Sequence, residues 1–314
     1  MNPDLQNPFP GLRPFRADED YLFFGREKEI AEVLSLLRKH RLLAIVGTSG
    51  SGKSSVVRAG LVPELLGGGM SGTGSDWVAV TMRPGGEPLE NLARALADAD
   101  LYDAEDEDIL PQLLAGLTRS SMGLVEAVQH SDLDQGTQVV VLVDQFEEVF
   151  RLSRRGLTTQ DTAVTFVRLL LEASKQRDVP IYIVLTMRSD YLGDCSQFRG
   201  LAEAVNAGEY LIPRFRREEL QAAIEGPVKV GGGEISFRLV QELLGDLGDD
   251  QDQLPVLQHA LMRTWDCWER DHEAGEPMDL RHYRAIGGMS GALSLHADEV
   301  YASLASDDQR LWVR

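Results

Sequence analysis

Hydrophobic and polar positions change their period along this chain. Short runs at 42–46, 77–82, 138–143, 181–187 and 210–212 are apolar on both faces, so each reads as a buried strand. Between them, apolar residues recur at helical spacing, most clearly Ile30, Val33, Leu34 and Leu37. Helices are expected there and over 54–66, 88–97, 109–129, 162–175 and 201–206. Strands alternating with helices predict a parallel sheet covered on both sides, an α/β fold. After Pro213 the strand signal nearly vanishes. Helices are expected over 217–224, 236–247, 255–270 and 291–304, separated by EGPVKVGGG, GDDQDQ and HEAGEP. Residues 1–22 differ from both regions. Their prolines oppose a helix, while Phe9, Leu12 and Phe15 suggest an arm lying against the body. The expected layout is an arm over 1–22, an α/β domain over 23–212 and a helical domain over 213–304.

Charge narrows the classes. Lys+Arg 31 against Asp+Glu 50 gives a net charge of −19 over 314 residues. That is not the basic footprint of a nucleic-acid-coating protein, so nucleic acid is not an expected partner. A local cationic pocket for a small phosphate ligand remains open. The acidic stretch 98–108 reads as a solvated loop, and the glycine run 67–75 as flexible. Two cysteines, Cys195 and Cys267, with no signal-peptide pattern at the start, point to a reducing cytoplasm. No apolar run is long enough for a bilayer, and no membrane association is expected. His40, His259 and His282 lack metal-ligand spacing, and His296 reads as structural. Trp265 and Trp268, three apart on a helix, read as core or a docking face.

One segment carries specific chemistry. Gly47-Thr48-Ser49-Gly50-Ser51-Gly52-Lys53-Ser54 fits G-x-x-x-x-G-K-[ST], follows an apolar strand and opens a helix. The glycines let backbone N–H groups turn around a phosphate, and the helix N-terminus adds its dipole. Lys53 would reach the β- and γ-phosphates, and the Ser54 hydroxyl would ligate Mg²⁺. Gly47, Ser49, Gly50, Ser51, Gly52, Lys53, Ser54 and Ser55 form the expected nucleotide-binding set. The run VVVLVDQFEEVF (139–150) supplies Asp144 at a strand end, where it would hold Mg²⁺. Glu147 and Glu148 follow within one turn. Either could activate a water, Glu147 slightly ahead, or both could simply open a helix. Arg188, just past the fourth strand, could fork onto the γ-phosphate or pair with Asp190 or Asp194.

FFGRE (23–27), GTSGSGKSS, the hydrophobic run ending in DQFEE, TMRSD, EGP (225–227) and QLPVLQHAL (253–261) resemble, in that order, the STAND class of P-loop ATPases. The class includes the NACHT and NB-ARC switch proteins. The opening NPFPGLRPF and the later YRAIGGMSGALSLHADEVY (283–301) look closest to the bacterial novel STAND type. This resemblance implies a five-stranded parallel sheet of order 5-1-4-3-2 followed by an α-helical lid. It implies ATP or ADP with Mg²⁺ as cofactors, and Gly25 and Arg26 beside the adenine or ribose. Pro255 would pack on the base and couple the helical domain to the nucleotide. That proline also suits the first turn of a helix on its own account. Residues 305–314 would begin a winged-helix domain, with sensor or effector domains beyond it.

The expected function is an ATP-binding, slowly hydrolysing switch. It would change conformation or self-associate on ADP/ATP exchange, in signalling or defence. Gln145 stands where many related ATPases place their catalytic glutamate, which argues against fast turnover. The alternatives are an AAA+-like mechanical ATPase acting on protein or nucleic acid, and a scaffold that retains nucleotide.

Overall fold

The computed structural model describes residues 7–69, 76–102, 108–134, 136–248, 251–273 and 275–303, without the side chains of 251, 295–300 and 302–303. The glycine run beyond 69, residues 103–107 of the acidic stretch, the His296 side chain and 305–314 lie outside the described residues. The chain divides into two compact units. One is Glu27–Ser49 with Lys53–Pro213; the other comprises the described residues of Met1–Arg26, Gly50–Gly52 and Arg214–Arg314.

The first unit is built on five parallel strands: β1 (Leu42–Gly47), β2 (Trp77–Met82), β3 (Gln138–Val143), β4 (Ile181–Arg188) and β5 (Glu209–Leu211). Their order is β2-β3-β4-β1-β5, the expected 5-1-4-3-2 read from the other edge. β1 and β3 are buried along their whole length, which is why they read as unbroken apolar runs. Insertion of β4 between them pairs Gly47 with Arg188 and Val143 with Leu185. The ends of β1, β3 and β4 therefore meet at one sheet edge. The core beneath this edge includes Val46, Val143, Phe146, Phe150, Phe166 and Leu185.

Three helix expectations need correction. The stretch 109–129 is two helices, Ile109–Arg119 and Gly123–Gln129. Ser120 is extended between them (φ −143°, ψ 141°), and Ser120 Oγ accepts the Met122 N–H at 3.0 Å. A serine that binds a nearby backbone donor competes with helix continuation. The stretch after the glycine-rich loop is α-helical over Lys53–Ser55, π-wound over Val56–Leu61 and α-helical again over Val62–Leu66. In the second unit, the helix expected over 217–224 runs on as Arg217–Val230, through Pro227. Its buried stripe of Leu220, Ile224, Pro227 and Val228 continues past the proline, and burial outweighs one lost hydrogen bond.

The second unit has its own core, formed by Leu239, Leu243, Leu257, Leu261, Trp265 and Trp268 among others. Both tryptophans are thus core residues. Phe9 of the arm belongs to this core, and Asn7 Nδ2 donates to Met262 O at 2.9 Å. Phe15 is buried as expected, whereas Leu12 is 49% exposed. No helix among the described residues is long and apolar enough to cross a membrane.

Candidate functional site

The glycine-rich loop leaves β1 at Gly47 and enters the helix at Lys53. Gly50 (φ +77°) and Gly52 (φ +86°) take left-handed conformations. A Cβ on Gly52 would meet nothing within 4 Å, so it is the dihedral that calls for glycine there. Lys53 lies back over its own loop, donating to Gly47 O at 3.1 Å and Thr48 O at 2.6 Å. Burial holds its pKa below the ordinary lysine value, against the opposing pull of Glu147.

Asp144 follows the last residue of β3 and is fully buried. Its Oδ1 accepts from Ser54 Oγ at 2.7 Å and from Thr186 Oγ1 at 2.6 Å. Its Oδ2 accepts from Arg58 Nη2 at 3.0 Å and lies 3.5 Å from Arg83 Nε. Immediately after it, Gln145 adopts φ 59° and donates its N–H to Thr186 Oγ1 at 2.9 Å. This left-handed residue turns the chain sharply into the helix Glu147–Arg154.

The two glutamates diverge. Glu147 Oε2 accepts the Arg188 N–H at 3.4 Å, and burial raises its pKa above the usual carboxylate value despite nearby Lys53 and Arg188. Glu148 accepts the Gly85 N–H at 3.1 Å and pairs with Arg151 at 3.2 Å. Arg188 forks onto Asp190, with Nε and Nη2 at 3.0 and 2.7 Å, so in this structure it takes the pairing alternative. That bond keeps the Asp190 carboxyl below its ordinary pKa. Asp194 pairs instead with Arg154.

Lys53, Ser54, Asp144, Glu147 and Arg188 thus converge at one sheet edge. Gly47 and Ser49 belong to the same unit, as does Ser55 on the helix itself. Gly50, Ser51 and Gly52 group with the second unit. Gly25, Arg26 and Pro255 also belong there. Gly25 has φ +84°, and a Cβ on it would stand 2.3 Å from Glu219 O. Arg26 is 2% exposed with its guanidinium 3.5 Å from the Phe215 ring centroid, a cation–π contact. Pro255 lies in the first turn of the helix Leu254–Asp271.

Three residues at the site escaped the sequence reading. Arg58 lies four positions after Ser54, so helical spacing could have placed it on the same face. Thr186 is one step beyond the Val143–Leu185 pair, a position that becomes legible only once β3 and β4 are known neighbours. Arg83 follows directly on the end of β2, beside β3.

The donor set suits a magnesium–nucleotide complex. A hydroxyl and a carboxylate 2.7 Å apart offer the hard oxygen ligands that Mg²⁺ prefers. No cluster of three or more His, Cys, Asp or Glu among the described residues could hold a metal alone. A cation here would rely on phosphate oxygens for the rest of its shell.

No curated protein matches this chain. Among solved structures, the Orc1 protein of Aeropyrum pernix, determined in complex with DNA, has a TM-score of 0.56 at 17% identity, covering 90% of this chain and 69% of that one. The ADP form of Orc2 from the same organism has a TM-score of 0.55 at 15% identity, over 88% and 68%. A Walker-type ATPase of Pyrococcus abyssi has a TM-score of 0.51 at 13% identity, over 93% and 75%. At these identities the likeness establishes a shared P-loop ATPase fold. The family model described as Novel STAND NTPase 1 matches residues 8–314. With the P-loop, the Asp144 strand end and the sheet order in place, this chain belongs to the novel STAND NTPase 1 family.

Proposed function

We propose that the protein is a nucleotide-operated switch that binds ATP or ADP with Mg²⁺, hydrolyses ATP slowly, and changes conformation or self-associates on exchange. Signalling or defence is the setting this reading favours. The observation that carries it is the Ser54–Asp144 hydrogen bond beside the Lys53 loop. Lys53 and the loop N–H groups would hold the phosphates, and Ser54 and Asp144 would hold the cation. Mg²⁺, when bound, neutralises charge on the phosphate oxygens. Glu147 is the group best suited to take a proton from an attacking water, because burial has already raised its proton affinity. Slow turnover accords with two features. Gln145 follows Asp144 directly, and Arg188 must exchange Asp190 for phosphate before it can act.

Calorimetry with ADP and Mg²⁺ tests the site. Lys53→Ala is expected to weaken binding about a hundredfold or more. Unchanged affinity would remove Lys53 from the phosphate site. The nucleotide released on denaturing the purified protein should be ADP. The Orc-like fold favours a second reading, a mechanical ATPase working on protein or nucleic acid. Turnover above roughly 1 s⁻¹ without a partner, near the low end of ordinary enzymes, would select that reading over the switch.

A further inference from the structure

Asp144 is surrounded by more positive charge than a metal-holding carboxylate requires. Ser54 and Thr186 occupy Oδ1, and two guanidiniums face Oδ2. The two arginines arrive on different elements and neither belongs to the P-loop motif. Arg58 sits on the π-wound turn Val56–Leu61, the point where the helix after the loop departs from α geometry. Such turns often mark functional positions in helices. Arg83 follows Met82, whose strand partner Val143 precedes Asp144.

The pair is asymmetric. The Arg58 side chain is 25% exposed and bonded at 3.0 Å, whereas Arg83 is 46% exposed and 3.5 Å away. Arg83 also lines a cavity of about 520 Å³ together with Thr81, Asn91, Arg94 and Asp98. It therefore has room to leave Asp144, while Arg58 is the more enclosed of the two. A divalent cation drawn to a carboxylate that already carries two guanidiniums meets both their charge and their competition for the same oxygen.

We propose that Arg58 and Arg83 form a cationic clamp on Asp144 that competes with Mg²⁺, with Arg83 the movable jaw that swings toward the cavity as the metal loads. Both are positioning residues in this scheme: they set how much Mg²⁺ the site needs. The inference rests on the proposed nucleotide function.

The test is a titration of ADP binding against Mg²⁺ concentration, read by calorimetry on the whole chain. Arg83→Gln removes the charge and keeps much of the stem. It is expected to lower the Mg²⁺ concentration at half-effect about threefold to fivefold, the upper part of the range for one partly exposed charge neighbour. Arg83→Lys retains the charge and should stay within about twofold of the parent. A midpoint in Arg83→Gln that is unchanged or raised overturns the clamp, as does an equal shift in both variants. If the parent protein binds no ADP at any Mg²⁺ concentration, the nucleotide reading itself falls and the clamp falls with it. Binding by the parent with no shift in Arg83→Gln removes the clamp alone.

Discussion

Glu147 and Glu148 are neighbours in sequence with unequal chemistry. Glu148 spends its oxygens on the Gly85 N–H and on Arg151, while Glu147 faces Arg188 N–H and the charge of Lys53. Glu147→Gln is therefore expected to slow single-turnover hydrolysis about a hundredfold with nucleotide still bound, and Glu148→Gln less than about tenfold. Equal losses would assign the proton transfer to neither one alone. The same substitution has a pH signature. Because burial raises the folded pKa of Glu147, its contribution to stability is fully present below the unfolded value and is lost as pH rises through the folded one. Glu147→Gln should thus be more resistant to denaturant than the parent at neutral pH. The difference should close below the ordinary carboxylate range of about 4.3. Lys53, Ser54 and Asp144 could be read from sequence because one local motif and one strand end define them. Thr186 and Arg83 reach Asp144 through strand order, which no local pattern encodes, whereas Arg58 stands about one helical turn after Ser54.

Elements were legible where one periodicity ran unbroken. The strand over 138–143 stands as expected because burial on both faces leaves a plain apolar run, and the edge strand over 77–82 stands as expected although Thr81 is exposed. The helix expected over 109–129 failed because its apolar spacing persists across a break made by Ser120 and by a backbone contact. Gly123 opens the second helix, and a Cβ there would lie 2.4 Å from Gly116 O and 2.8 Å from the Leu117 Cα. The two helices touch main chain to main chain, an approach only glycine permits. Gly123→Ala is expected to destabilise the α/β unit by about 1–3 kcal/mol, since backbone atoms cannot step aside as a flexible side chain can. Urea unfolding measures it. A loss under about 0.5 kcal/mol would mean the helices can separate freely, and that the break is set by Ser120 alone.

At the scale of the whole molecule, the sequence pattern separated a strand-rich half from a helical one, and each half carries a core of its own. It placed the arm apart from both, whereas Phe9 completes the helical core. Hydrophobic spacing cannot say which core an isolated aromatic joins. Two cores and one nucleotide motif make coupling between the units the test of a switch. A ligand at 100 times its Kd stabilises its binding unit by about 2.7 kcal/mol, whichever nucleotide it is. A switch needs more, namely a contact free energy that differs between diphosphate and triphosphate. Hydrogen exchange resolved by segment can separate these. At equal saturation, ADP and a non-hydrolysable ATP analogue should protect the helix beginning at Lys53 alike. Protection of the helix Leu254–Asp271 should differ between the two. Pro255→Ala should abolish that difference while leaving protection at Lys53, because Pro255 opens the helical segment through which the resemblance predicts coupling. Identical exchange in the helical unit under both nucleotides would rule out the switch and leave a scaffold that merely retains its ligand.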